Sequence, residues 1–186
     1  MRIFVSIGWS KEAIAFLQTW QEKLHREYGI RGYWRKPNNL HLTLKFVGEV
    51  GEAEIPAIHQ ALAEVGSRFS PFDCSFKGLG VFPNVMAPRI LWLGVQSPML
   101  FSLQGAIESA LRNIGVPPEH RGYRPHITLA SGGIDGIDER ALKMHKTIVR
   151  NERITSFELM QSVMEHGGHV YHTLGVYALK KEAAII

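Results

Sequence analysis

At 186 residues, with 45% hydrophobic and 20% charged side chains, the chain can bury a real core and has the composition of an ordinary globular protein. No apolar run approaches the roughly 20 residues that span a bilayer, and Cys74, the only cysteine, rules out an intrachain disulfide or a thiolate metal cluster. A net charge of +4 is too mild for a protein that coats polyanions, so where the basic residues sit matters more than how many there are.

The opening MRIFVSIGWSKE has too short an apolar stretch for a signal peptide and no small-residue cleavage site. It reads as a first strand, Arg2 to Ile7, with Ile3, Val5 and Ile7 on one side, and a cytoplasmic protein is the expectation. Ser10 is placed as an N-cap with Glu12 in the first turn, and Ile14, Leu17, Leu24 and Tyr28 follow at helical spacing until Gly29. Gly32 to Lys36 reads as a short strand and Pro37-Asn38-Asn39 as a turn. The next stretch, Asn39 to Gly48, alternates Leu40, Leu42, Leu44 and Phe46 with His41, Thr43 and Lys45, the mark of a strand with one apolar and one polar face.

A second amphipathic helix carries Ile55, Ile58, Leu62 and Val65, with Pro56 tolerable in its first turn. Phe72, Cys74 and Phe76 indicate a strand, Gly78 to Pro88 a loop, and Arg89 to Val95 a buried strand. Leu103, Ile107, Leu111 and Ile114 mark a third helix stopped at Gly115. After Pro117-Pro118 comes Arg124-Pro125-His126-Ile127-Thr128-Leu129, a second strand with His and Thr on one face. Ser131 to Gly136 reads as a flexible loop and Ile137 to Arg150 as a fourth helix. Ile154 to Met164 and Val170 to Leu179 read as strands joined by a hairpin at His166-Gly167-Gly168-His169. Strands and helices mix without strict alternation, so the class is α+β. With no low-complexity tract and no long linker, residues 1–186 are expected to form one body.

His41 and His126 lie 85 positions apart, close to half the chain, which suggests a duplicated unit with one His-x-Thr strand per half. Arg31, Arg35, Lys36 and Lys45 flank the first strand, and Arg121 and Arg124 precede the second. This placement favours an anionic ligand between the motifs, although scattered surface charge gives the same local pattern. A lone His-x-Thr on a strand is common by chance; two copies half a chain apart carry the argument. Imidazole titrates near neutrality, so two on opposite sides of a phosphodiester can divide the proton transfers, one taking a proton from water and the other giving one to the leaving oxygen. The threonine hydroxyls can donate to phosphate oxygens and a basic residue can stabilise the developing charge. The scheme requires no metal.

These motifs, HLTLKFVG and RPHITLA, together with MRIFVSI, PRILWLGV and GGHVYHTL, resemble the 2H phosphoesterase superfamily. Within it they are similar to the RNA 2′,3′-cyclic phosphodiesterases formerly called 2′-5′ RNA ligases, and the resemblance covers nearly the whole chain. It implies a bilobal duplicated fold, with two antiparallel sheets facing a central cleft and helices on the outside. It further implies metal-independent hydrolysis of RNA 2′,3′-cyclic phosphate ends to a 2′-phosphomonoester, with His41 as acid and His126 as base. Thr43 and Thr128 would hold phosphate oxygens. No cofactor and no obligate protein partner is implied; the partner is RNA, or a nucleotide, with a cyclic phosphate end. Many members follow the second motif with an arginine that can reach the phosphate, whereas here Ala130 precedes Ser131-Gly132-Gly133, leaving that charge to Arg124, Lys45 or another residue.

His166, His169 and His172 invite a metal reading, but a hairpin loop does not fix three imidazoles and further ligands are not evident. Tyr171 can stack on a nucleobase or pack as a strand tyrosine. Trp34, Trp92, Phe82 and Phe101 read as core or loop packing, and Arg89, which recurs in the PR-x-LWLG segment of the resembling family, can equally brace the cleft wall through a salt bridge. His25, His59, His120 and His145 have no motif context and read as surface residues. Rival functions are a related enzyme acting on 2′-5′ oligonucleotides or small cyclic nucleotides, and a non-catalytic RNA-binding module that kept the cleft.

Overall fold

The Ser10 hydroxyl accepts the Ala13 N–H at 3.0 Å and so starts the first helix where its position predicts. The computed structural model describes residues 1–143 and 148–180. Its elements in chain order are β1 (Arg2–Ile7), α1 (Lys11–Arg26), β2 (Arg31–Trp34), β3 (Leu42–Glu49), α2 (Ile55–Ser67), β4 (Phe72–Phe82) and β5 (Ile90–Gln96), then α3 (Pro98–Asn113), β6 (His126–Asp135), α4 (Glu139–Lys143), β7 (Arg150–Ile154), β8 (Ser156–Glu165) and β9 (Gly168–Ala178). A 3₁₀ turn at Pro37–Asn39 leads toward β3.

The α+β class is as expected. The strands run in the order β7-β4-β5-β6-β3-β1-β8-β9, with β2 on the far part of β6. The two expected sheets are continuous at a single registered pair, Leu42 against Ile127, where β3 meets β6. Both residues are fully buried. On one side of this seam, α2 and α3 pack on each other and on β9 and β3. On the other, α1 lays Phe16 against Phe76 of β4, next to Trp9, and α4 packs on the same strand. Helices thus cover the backs of both strand sets, and the apolar alternation of β1, β3, β5 and β6 points into that core.

Four expectations are corrected. Residues 78–82 are strand, not loop. At Gly78, with φ +95°, the β4–β5 register slips between Phe76 and Leu79, a bulge after which pairing resumes through Phe82. Residues 131–135 likewise belong to β6, held between Ile90 on one side and Tyr33 and Arg31 on the other. The Tyr33 ring covers Gly132, where a Cβ would come within 2.6 Å of it. The fourth helix is shorter than expected, and residues 150–154 form edge strand β7 against β4. Arg-Asn-Glu-Arg-Ile has no apolar alternation to signal such a strand. Part of the expected helix, including His145, lies outside the described residues. Ile154 ends β7 instead of opening β8.

Candidate active site

An antiparallel pair centred on Leu42 and Ile127 sets the order His41–Thr43 against Thr128–His126. Since Leu42 and Ile127 point into the core, the four polar side chains flank one point of the seam on its other face. The two strands that were 85 residues apart are therefore brought together.

Each imidazole is oriented by its own backbone. His41 Nδ1 lies 2.8 Å from the Asn39 carbonyl and His126 Nδ1 lies 2.6 Å from the Arg124 carbonyl. A carbonyl only accepts, so each Nδ1 carries the proton and each Nε2 presents its lone pair in the neutral ring. His41 Nε2 is 3.1 Å from Thr43 Oγ1, placed to accept from that hydroxyl. Burial pulls His41 down to about 4, opposed by the Asn39 carbonyl, with the charges of Arg35 and His126 lowering it further. Burial also lowers His126, against the Arg124 carbonyl. Both imidazoles are therefore neutral near pH 7 when no anion lies between them.

Aromatic rings buttress both. Phe4 and Tyr171 lie 5.1 and 5.3 Å from the His41 ring, and 5.0 Å from each other. Phe82 meets His126 edge-on at 5.1 Å, with Trp92 at 6.3 Å. Phe82 and Trp92 thus border the second motif rather than serving only as core. Tyr171, half-buried, packs edge-on against Phe4 and His41 beside the first motif, as its packing reading expects. The Asn39 side chain donates to the His169 carbonyl at 2.9 Å, latching the β8–β9 hairpin beside the first motif.

The cations separate. Lys45 is not available to a ligand in the cleft: the β1–β3 register slips between Val5 and Ser6, turning Lys45 to the core side and Phe46 out to solvent. Its Nζ bonds Glu108 Oε1 at 2.9 Å and the Pro117 carbonyl at 2.7 Å. Arg124 and Arg89 are exposed, and Arg35 is half-buried. The sequence reading missed Gln21, whose buried amide donates at 2.9 Å to both the Arg35 and Leu129 carbonyls. It also missed Tyr123, whose hydroxyl donates to the Thr43 carbonyl at 3.2 Å. A Gln on the apolar stripe of the helix, four residues after Leu17 and three before Leu24, is the sequence signal for the first. His169 shares a hydrogen bond with Ser162, and His172 lies 3.6 Å from Glu165. No three His, Cys, Asp or Glu among the described residues are placed to hold a metal ion. His25 and His59 are tied down, to the Ile30 carbonyl and the Tyr177 hydroxyl. An open groove of about 730 Å³ borders Trp92 and Pro125 on the α3 side, but neither imidazole lines it.

The LigT-like phosphoesterase family matches residues 7–92. A protein of Methanothermobacter thermautotrophicus, an RNA 2′,3′-cyclic phosphodiesterase, is 34% identical over 149 residues, covering 77% of this chain and 80% of its own length. A crystal structure of a Thermus thermophilus protein superposes with a TM-score of 0.82 at 24% identity, over 98% of this chain and all of the other. The structure of E. coli LigT with 3′-AMP gives 0.79 at 25%, over 97% and 98%.

Proposed function

The chain belongs to the LigT-like phosphoesterases of the 2H superfamily, and from that membership we propose that it opens RNA 2′,3′-cyclic phosphate ends to 2′-phosphomonoesters, using its two imidazoles and no metal. The observation that supports the reading is the matched pair of Nδ1–carbonyl bonds, which leaves each Nε2 as the proton-accepting nitrogen of two rings on strands that meet at the seam. A cyclic phosphate placed there is attacked by water at phosphorus, forming a P–O bond as the bond from phosphorus to the ribose O3′ breaks. His126 Nε2 takes the water proton. His41, protonated in the complex because the phosphate anion raises its affinity for a proton, delivers that proton to O3′. Thr43 and Thr128 donate to the non-bridging oxygens, Arg124 adds charge at the rim, and Tyr171 gives a face for the terminal base. A binding module would have no use for two rings held in the same tautomer.

The test is product analysis with a nucleoside 2′,3′-cyclic phosphate in excess EDTA. The parent is expected to release the 2′-phosphate, and His41→Ala and His126→Ala each to lose roughly 10²–10⁴ in rate. A parent that turns over only after metal is restored, or variants as fast as the parent, would overturn the mechanism.

A further inference from the structure

We propose that Arg35, on the extension of edge strand β2, is the cation that holds the phosphate of the substrate. The inference rests on the phosphoesterase reading above and adds to it a residue outside both motifs.

The backbone of Arg35 is fixed against the second motif. Its N–H donates to the Leu129 carbonyl at 2.9 Å, and Gln21 bonds both the Arg35 and the Leu129 carbonyls from beneath. Leu129 is the residue next to Thr128. The direction of the side chain follows from the register. Trp34 pairs with fully buried Ala130 and packs on the core, so its neighbours Tyr33 and Arg35 take the opposite face. Tyr33 pairs with Ser131, and Ser131 and Thr128 pair across β5 with Ile90 and Trp92. Arg35 therefore projects from the face that carries Thr128, one strand over. Its charge reaches His41, lowering that imidazole along with His126.

The competing cations are engaged elsewhere or lie outside. Lys45 is held by Glu108 and Pro117. Arg124 and Lys36 are exposed. Among the described residues Arg35 has no carboxylate partner, so its guanidinium is left for an anion. A planar fork of N–H donors suits two phosphate oxygens at once.

The experiment compares the parent with Arg35→Gln, Arg35→Lys and the double variant Arg35→Gln/Ser131→Arg. The readouts are kcat/KM on a nucleoside 2′,3′-cyclic phosphate across pH, and the thermal shift given by inorganic phosphate. Arg35→Gln is expected to lose roughly 10² in kcat/KM and most of the phosphate shift. The limb of its pH profile that reports His41 moves to higher pH, because that imidazole loses a depressing charge. Arg35→Lys recovers part of the rate, and the double variant recovers at least about tenfold by presenting a guanidinium from the same face. An Arg35→Gln enzyme within threefold of the parent, with an equal phosphate shift, overturns the inference while leaving the phosphoesterase reading intact. A parent that turns over no cyclic phosphate overturns that reading instead, and the phosphate shift still tests Arg35: equal shifts in parent and Arg35→Gln overturn the inference in that case too.

Discussion

A histidine buried as a neutral ring is a liability in acid, and His41 makes that liability measurable. Its ordinary value near 6.5 falls to about 4 in the folded chain. Above pH 6.5 both the folded and unfolded states hold it neutral. As pH falls from 6.5 toward 4, the unfolded state binds a proton that the native state refuses, so stability is lost through that window. The loss is on the order of 2–3 kcal/mol by pH 4. His41→Ala removes this linkage. Urea unfolding of parent and variant at pH 7 and pH 4.5 should show the gap between them shifting in the variant's favour in acid; an unchanged gap would contradict the burial of the ring. At this scale His41, Thr43, His126 and Thr128 stand out as candidates from spacing and duplication alone. The carbonyls of Asn39 and Arg124 do not, because every residue has a carbonyl and only the backbone path shows which one faces an imidazole.

Among the elements, β3 departs most usefully from its simple alternation. The slip against β1 turns Lys45 from the cleft face to the core, where it is 2% exposed and paired with Glu108. From the letters alone, LHLTLKF continues an unbroken period of two, which places Lys45 on the cleft face; a bulge leaves no mark in such a pattern. The same blindness hid the far ends of β4 and β6, whose glycines read as loop and in fact bend a continuing strand. The pair braces the entry of the 117–125 segment, since Glu108 Oε1 also accepts the Glu119 N–H. Lys45→Ala strands a largely buried carboxylate and is expected to cost about 3–5 kcal/mol in urea unfolding. Under conditions where the variant is folded, kcat/KM should stay within a few fold of the parent. A fall of roughly 10² would return Lys45 to the list of phosphate ligands.

Across the whole molecule, the α+β class and the pairing of two distant halves were legible, but the crossing of the helices was not. The helix that follows β1 covers β4, on the other side of the seam, and nothing local in α1 announces this partner beyond Phe16 and a buried Gln21. A site built from both halves predicts one phosphate per chain. Inorganic phosphate should raise Tm as a single-site ligand does, and either His41→Ala or His126→Ala alone should remove most of the rise. Two independent half-sites would instead leave about half of it in each variant, with two phosphates bound in titration calorimetry. The imidazole–carbonyl bonds have a consequence of another kind. Each spans only two residues, so the protonation geometry of each ring is written into a short stretch of chain and borrows little from the surrounding scaffold. What is packaged in this way is the tautomer of each ring, whereas its affinity for a proton still depends on the burial that the scaffold supplies.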